Sequence, residues 1–84
     1  MIYFLKTDRE NSPIKIGYTS RPNTRKRIAE LQTGCPYKLS LIGTMRGTLE
    51  LEKSLHDIFS YWRCDGGQDW YESNFDLLKL ATSK

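Results

Sequence analysis

The stretch Ile14-Lys15-Ile16-Gly17-Tyr18-Thr19-Ser20-Arg21-Pro22-Asn23-Thr24-Arg25-Lys26-Arg27 begins as a β-strand and ends in a cluster of cations. Ile14 and Ile16 lie two apart, so they share one face of a strand and leave Lys15 on the other. Pro22 or Asn23 is suited to open a helix, which then carries Ile28 and Leu31 on one side. A strand leading directly into a helix with a basic start is the unit around which the remaining segments have to be arranged.

Upstream, Ile2-Tyr3-Phe4-Leu5 is aromatic and branched enough for a second strand, and the polar run Thr7 to Pro13 reads as the turn between them. The two strands make an antiparallel hairpin. Period two places Tyr3 opposite in sense to Ile2 and Phe4, so a matching register would put the Tyr3 phenol and the Lys15 ammonium on one face. Downstream, the first helix ends near Thr33-Gly34 with Pro36 beyond it, and Leu39-Ser40-Leu41-Ile42-Gly43 is a third strand. From Thr48, an acceptable N-cap, Leu51, Leu55, Ile58, Phe59 and Trp62 form an apolar helical stripe facing a core. Arg63 to Gln68 is a turn and Asp69-Trp70-Tyr71 a short extended piece. Ser73-Asn74-Phe75-Asp76 has the form of a capping box before a last helix that runs to about Ala81. The expected architecture is a small α+β fold, a three-stranded antiparallel sheet flanked by helices in the order β-β-α-β-α-(β)-α.

Eighty-four residues leave room for one domain, residues 1–84, because a chain of this length buries only about 60 to 65 percent of its unfolded surface. Two cysteines, Cys35 and Cys64, make neither a disulfide framework nor a C-x-x-C zinc pair. The apolar runs fall far short of the ~20 residues that span a bilayer, and the start of the chain does not read as a signal peptide. A cytoplasmic protein is expected. The net charge of +3 favours an anionic partner only weakly, so the placement of the charges matters more than their sum.

Several polar residues are candidates for function. Glu52 and His56 are four apart and border the apolar stripe, where a cleft wall would run. A carboxylate there suits magnesium, which takes one or two protein carboxylates and fills its other positions with water and phosphate oxygens. The same pair also reads as an ordinary surface pair with His56 packed on a neighbour. Lys15 is either part of a site or a solvated edge lysine that guards against strand pairing. Gly17 either admits a phosphate close to the backbone or marks a bulge. Arg21, Arg25, Lys26 and Arg27 crowd a helix start, where cations oppose the helix dipole and where free amides and guanidinium groups together hold phosphate. Neutralising about four phosphates would make duplex affinity fall roughly a hundredfold between 50 and 200 mM salt. The alternative is a solvated basic face. Trp70 and Tyr71 either stack on bases or complete the core.

Taken in order, Ile2-Tyr3, Lys15-Ile16-Gly17, the arginine of Arg27-Ile28-Ala29-Glu30-Leu31, and Glu52 to Phe59 resemble the motifs of GIY-YIG nuclease domains. The likeness is to the phage-associated branch, with its K-I-G and L-E-x-x-L-H-x-x-F motifs and an E-W-F-like element matched by Asp69-Trp70-Tyr71. It covers nearly the whole chain. Met1 stands where the first motif has glycine, and Tyr18 where this branch has lysine. The resemblance implies hydrolysis of phosphodiester bonds on one divalent metal, Mg2+ or Mn2+. In it Tyr3 acts on the attacking water, and Lys15 takes the place of the second motif's tyrosine. Arg27 stabilises charge on the phosphate, with Arg25 as the substitute under a shifted alignment. Glu52 binds the metal, and His56 serves as acid/base or supports the metal ligand. The implied partner is the phosphate backbone of DNA, with a separate protein supplying specificity. A module that keeps the fold, has lost catalysis and binds nucleic acid or a protein is the alternative.

Overall fold

In a computed structural model that describes residues 1–9, 12–20, 24–64 and 69–82, the hairpin forms the middle of the sheet. Strand β1 (Ile2–Thr7) pairs antiparallel with β2 (Ile14–Tyr18), placing Tyr3 opposite Gly17 and Leu5 opposite Lys15. The polar connection is stitched by Ser12, whose Oγ accepts from the Thr7 amide at 2.8 Å and donates to the Pro13 carbonyl at 2.8 Å. Helix α1 (Thr24–Gln32) follows, then β3 (Leu39–Met45), which pairs with the other side of β1. Gln32 ties these two together: its side chain accepts from the Leu39 amide at 2.8 Å and donates to the Tyr37 carbonyl at 2.9 Å.

Helix α2 (Leu49–Ile58) is capped by Thr48, whose hydroxyl accepts from the Leu51 amide. The apolar stripe does not continue as one helix through Trp62. The backbone tightens into a 3₁₀ turn over Ser60–Trp62, and three residues per turn shift the phase of the side chains. Leu55 and Phe59 remain buried, whereas Ile58 is 68% exposed and Leu51 and Trp62 also lie at the surface. Strand β4 (Trp70–Tyr71) and helix α3 (Phe75–Thr82) complete the chain. The cap of α3 is Asn74, not Ser73: its Oδ1 accepts from the Leu77 amide at 2.9 Å.

The α+β class is as expected, but the sheet has four strands, in the order β3-β1-β2-β4, where three were expected. The short extended piece at Trp70 is a true strand because it finds hydrogen-bond partners on both sides. It pairs with Ile14 and Lys15 on one side, and on the other the Trp70 carbonyl accepts from the Cys64 amide at 2.9 Å. Period two then divides the core. Ile2, Phe4, Ile14 and Ile16 pack beneath the sheet with Leu55, Phe59, Leu77, Ala81 and Tyr71. Tyr3, Leu5 and Leu39 pack above it with Ile28, Leu31, Cys35 and Trp70. The sheet therefore lies between α1 on one face and α2 with α3 on the other. Close packing of α3 depends on Gly43, where an added Cβ would fall inside the Ala81 carbonyl oxygen.

Candidate functional site

Strand β4 is only two residues long, so it covers Ile14 and Lys15, and among the described residues no strand pairs with the outer edge of β2 from Gly17 onward. The last link on that edge is the Ile16 amide, which donates to the Asp69 carbonyl at 3.1 Å. Beyond it, a cleft of about 480 Å³ opens across the strand, bordered by α1 from above and α2 from below. Its lining includes Tyr3, Lys15, Gly17, Arg27 and Glu52, five of the residues singled out in the sequence, and with them Asp69. These come from β1, β2, α1, α2 and the residue just before β4.

Gly17 is explained by its partner across the hairpin. A Cβ built on it would overlap Cζ, Oη and Cε1 of Tyr3, so the tyrosine ring lies across β2 in the volume that a side chain would fill. The ring is nearly fully buried and its hydroxyl end reaches the cleft. A Gly17→Ala protein is expected to push the ring from this berth, at about 1–3 kcal/mol of stability. Urea unfolding and the NMR signals of the Tyr3 ring measure this; unchanged stability with unchanged ring signals would refute it.

Arg27 projects from α1 to the same place. A side-chain hydrogen bond with Tyr3, followed by one with Glu30, raises its pKa above the ordinary arginine value, so it is a permanent cation beside the phenol. Its Nη1 is 3.2 Å from Glu30 Oε2. Lys15 shares the Tyr3 face, as the alternation requires, but stands diagonally from Tyr3, opposite Leu5. Its Nζ is 3.1 Å from Asp69 Oδ2 and 5.9 Å from the centre of the Trp70 ring. Lys15 is therefore not a solvated edge residue; its side chain is 13% exposed and engaged in the cleft wall.

Below the strand, Glu52 and His56 form the expected pair, with Nε2 of the imidazole 3.5 Å from Glu52 Oε1. The other ring nitrogen is hydrogen-bonded to the Tyr71 hydroxyl. His56 also looks into a neighbouring hollow of about 490 Å³ lined with Lys53, Asp57, Arg63 and Asp69. Arg25 and Lys26 are exposed on α1 and do not line the cleft, while Arg21 lies outside the described residues. Trp70 and Tyr71 both belong to the core, on opposite faces of the sheet.

Asp69, which the motif spacing singles out for no role of its own, touches three parts of the site. Its backbone holds β2, one carboxylate oxygen holds Lys15, and the other is 3.9 Å from His56 Nε2. Its position at the head of the Asp69-Trp70-Tyr71 element was the available signal; the partners that give it meaning are far away in the chain.

The described residues thus form a mixed-charge cleft at the edge of a small α+β sheet, with a cation from α1 and a carboxylate from α2 on opposite walls. The particular family is fixed by sequence: the chain belongs to the T5orf172 domain family, a phage-associated domain found in nuclease-related proteins, matched over residues 1–83. No curated protein and no solved structure matches the chain.

Proposed function

We propose that this protein is a metal-dependent endonuclease of the GIY-YIG type that hydrolyses phosphodiester bonds in DNA. The observation that carries this reading is the convergence of Tyr3, Arg27 and Glu52, from β1, α1 and α2, on one cleft beside the open edge of β2. A protein that only binds the anionic backbone gains nothing from a carboxylate facing it. Membership of a phage-associated family found among nuclease-related proteins supports the same direction.

The donor chemistry fits a magnesium or manganese ion. Of the two carboxylates that line this roomy polar cleft, Asp69 is engaged by Lys15 and Glu52 is placed for a cation that completes its shell with water and phosphate oxygens. Bound there, the cation would supply charge neutralisation at the scissile phosphate. The chain's own groups do the rest. The backbone beside Gly17 offers the floor, Arg27 donates to the phosphate oxygens as negative charge grows, and the Tyr3 hydroxyl orients the attacking water. Lys15, fixed by Asp69, adds a second positive charge at the end of the cleft, and His56 stands behind Glu52.

The test is incubation with supercoiled plasmid. Nicking is expected in magnesium or manganese and is expected to stop in a chelator; no nicking with any metal at any salt would sink the proposal.

A binding module without catalysis is the second reading, favoured by one observation: Lys15 stands where most of the GIY-YIG family has tyrosine, and its amine is already paired with Asp69. Both readings place a phosphate against Arg27. The Arg27→Ala protein should therefore bind duplex with a log-log salt slope about 0.9 shallower than the wild type. A slope that does not move would mean that Arg27 makes no phosphate contact.

A further inference from the structure

Tyr71 is fully buried, yet it carries a hydroxyl into the space between α2 and the segment after it. The hydroxyl has two partners, His56 Nδ1 and, at 3.4 Å, Arg63 Nη2. Their chemistry favours one direction for each proton. A guanidinium donates and never accepts, so the Tyr71 oxygen is the acceptor for Arg63. The phenolic proton finds a partner when Nδ1 accepts it, whereas an Nδ1–H would leave that proton unpaired in a buried site. A neutral imidazole that accepts at Nδ1 carries its own proton at Nε2. Among the described residues that nitrogen faces acceptors only: Glu52 Oε1 at 3.5 Å and Asp69 Oδ1 at 3.9 Å. All the polar atoms agree on one tautomer, in a site where the imidazole is 13% and Glu52 16% exposed.

We propose that Tyr71 and Arg63 are positioning residues that hold His56 in its Nε2–H form, so that the imidazole orients the Glu52 carboxylate and is barred from ligating the cation itself. The second half of this rests on the metal-dependent reading of the cleft; the tautomer does not. An Nε2 that carries a proton has no lone pair for a metal, which keeps the site oxygen-donating and suited to magnesium. In the other tautomer a ring nitrogen would stand beside Glu52 as a ready ligand for zinc or nickel.

His56 is the only histidine in the chain, so its nitrogens are observable without assignment ambiguity. Long-range proton–nitrogen NMR on nitrogen-labelled, metal-free protein in alkaline buffer is expected to show protonated Nε2 and unprotonated Nδ1. The Nδ1–H form, or a mixture of the two, in the wild type would overturn the proposal. Tyr71→Phe keeps the ring in the core and removes the hydroxyl, and Arg63→Leu changes only an exposed residue. Each should release the preference, and Tyr71→Phe should raise the Mg2+ concentration for half-maximal nicking about tenfold. A Tyr71→Phe protein that keeps the pure Nε2–H form would show that Tyr71 does not set it. Adding Mg2+ should perturb the Glu52 carboxyl carbon signal and leave Nε2 protonated; a metal-ligated Nε2 would overturn the orienting role. A Glu52 signal indifferent to Mg2+ overturns the metal reading of the cleft, and the metal-free nitrogen spectrum separates that failure from failure of the tautomer.

Discussion

A Glu52→Gln protein is expected to leave supercoiled plasmid uncut under conditions in which the wild type nicks it, a loss of at least ~1,000-fold, because several kcal/mol of charge stabilisation at the phosphate depends on that carboxylate. Its fold should be unaffected. Glutamine has the same length, keeps an oxygen acceptor for His56 Nε2, and removes a charge from a wall where the side chain is only 16% exposed. Duplex affinity in the absence of metal should rise, since a negative charge facing the backbone has been deleted. This pattern of lost cleavage, tighter binding and unchanged thermal midpoint separates the two readings of the cleft. Cleavage by the Glu52→Gln protein at the wild-type rate would remove Glu52 from the machinery.

The largest effect on stability is expected at Gly43, well away from the cleft. A Cβ there meets the Ala81 carbonyl oxygen, a backbone atom of α3 that cannot rotate out of the way as a side chain can. Helix α3 also supplies Leu77 and Ala81 to the lower core, so any retreat of the helix opens that core. Gly43→Ala should cost about 3 kcal/mol, the upper part of the overpacking range, and lower the thermal midpoint by roughly 12–24 °C. At low temperature the folded fraction should still nick plasmid. A midpoint within a few degrees of wild type would mean that α3 is not seated on β3.

These two residues also show what was legible in the sequence. Glu52 and His56 could be paired from their spacing, because helical periodicity is local and Thr48 announces where the helix starts. The limits of β2 were equally plain from the alternation of Ile14 and Ile16 up to Tyr18. Gly17 and Gly43 were seen as glycines, but the groups that require them, the Tyr3 ring and the Ala81 carbonyl, come from other elements. Strand β4 escaped a firm reading for the same reason: two residues have no period, and only pairing with Ile14, Lys15 and Cys64 makes them a strand. The apolar pattern runs past the end of α2 because Trp62 continues its spacing across the 3₁₀ turn, while Ile58, the last residue of α2, is exposed. Asn74 was passed over as a cap because the adjacent Ser73 completes a capping-box pattern with Asp76.

The central position of β1 bears on the behaviour of the site in time. Flanked by β2 and β3 and covered on both faces, it has no route to solvent short of global unfolding, so its amides should exchange with deuterium more slowly than those of any other element. Tyr3 rides on that strand. Arg27 and Asp69 are held by peripheral segments, which should open at lower free energy. Warming should therefore dismantle the cleft from its walls inward, with cleavage fading while the phenol is still in place and the amide of Phe4 is still protected.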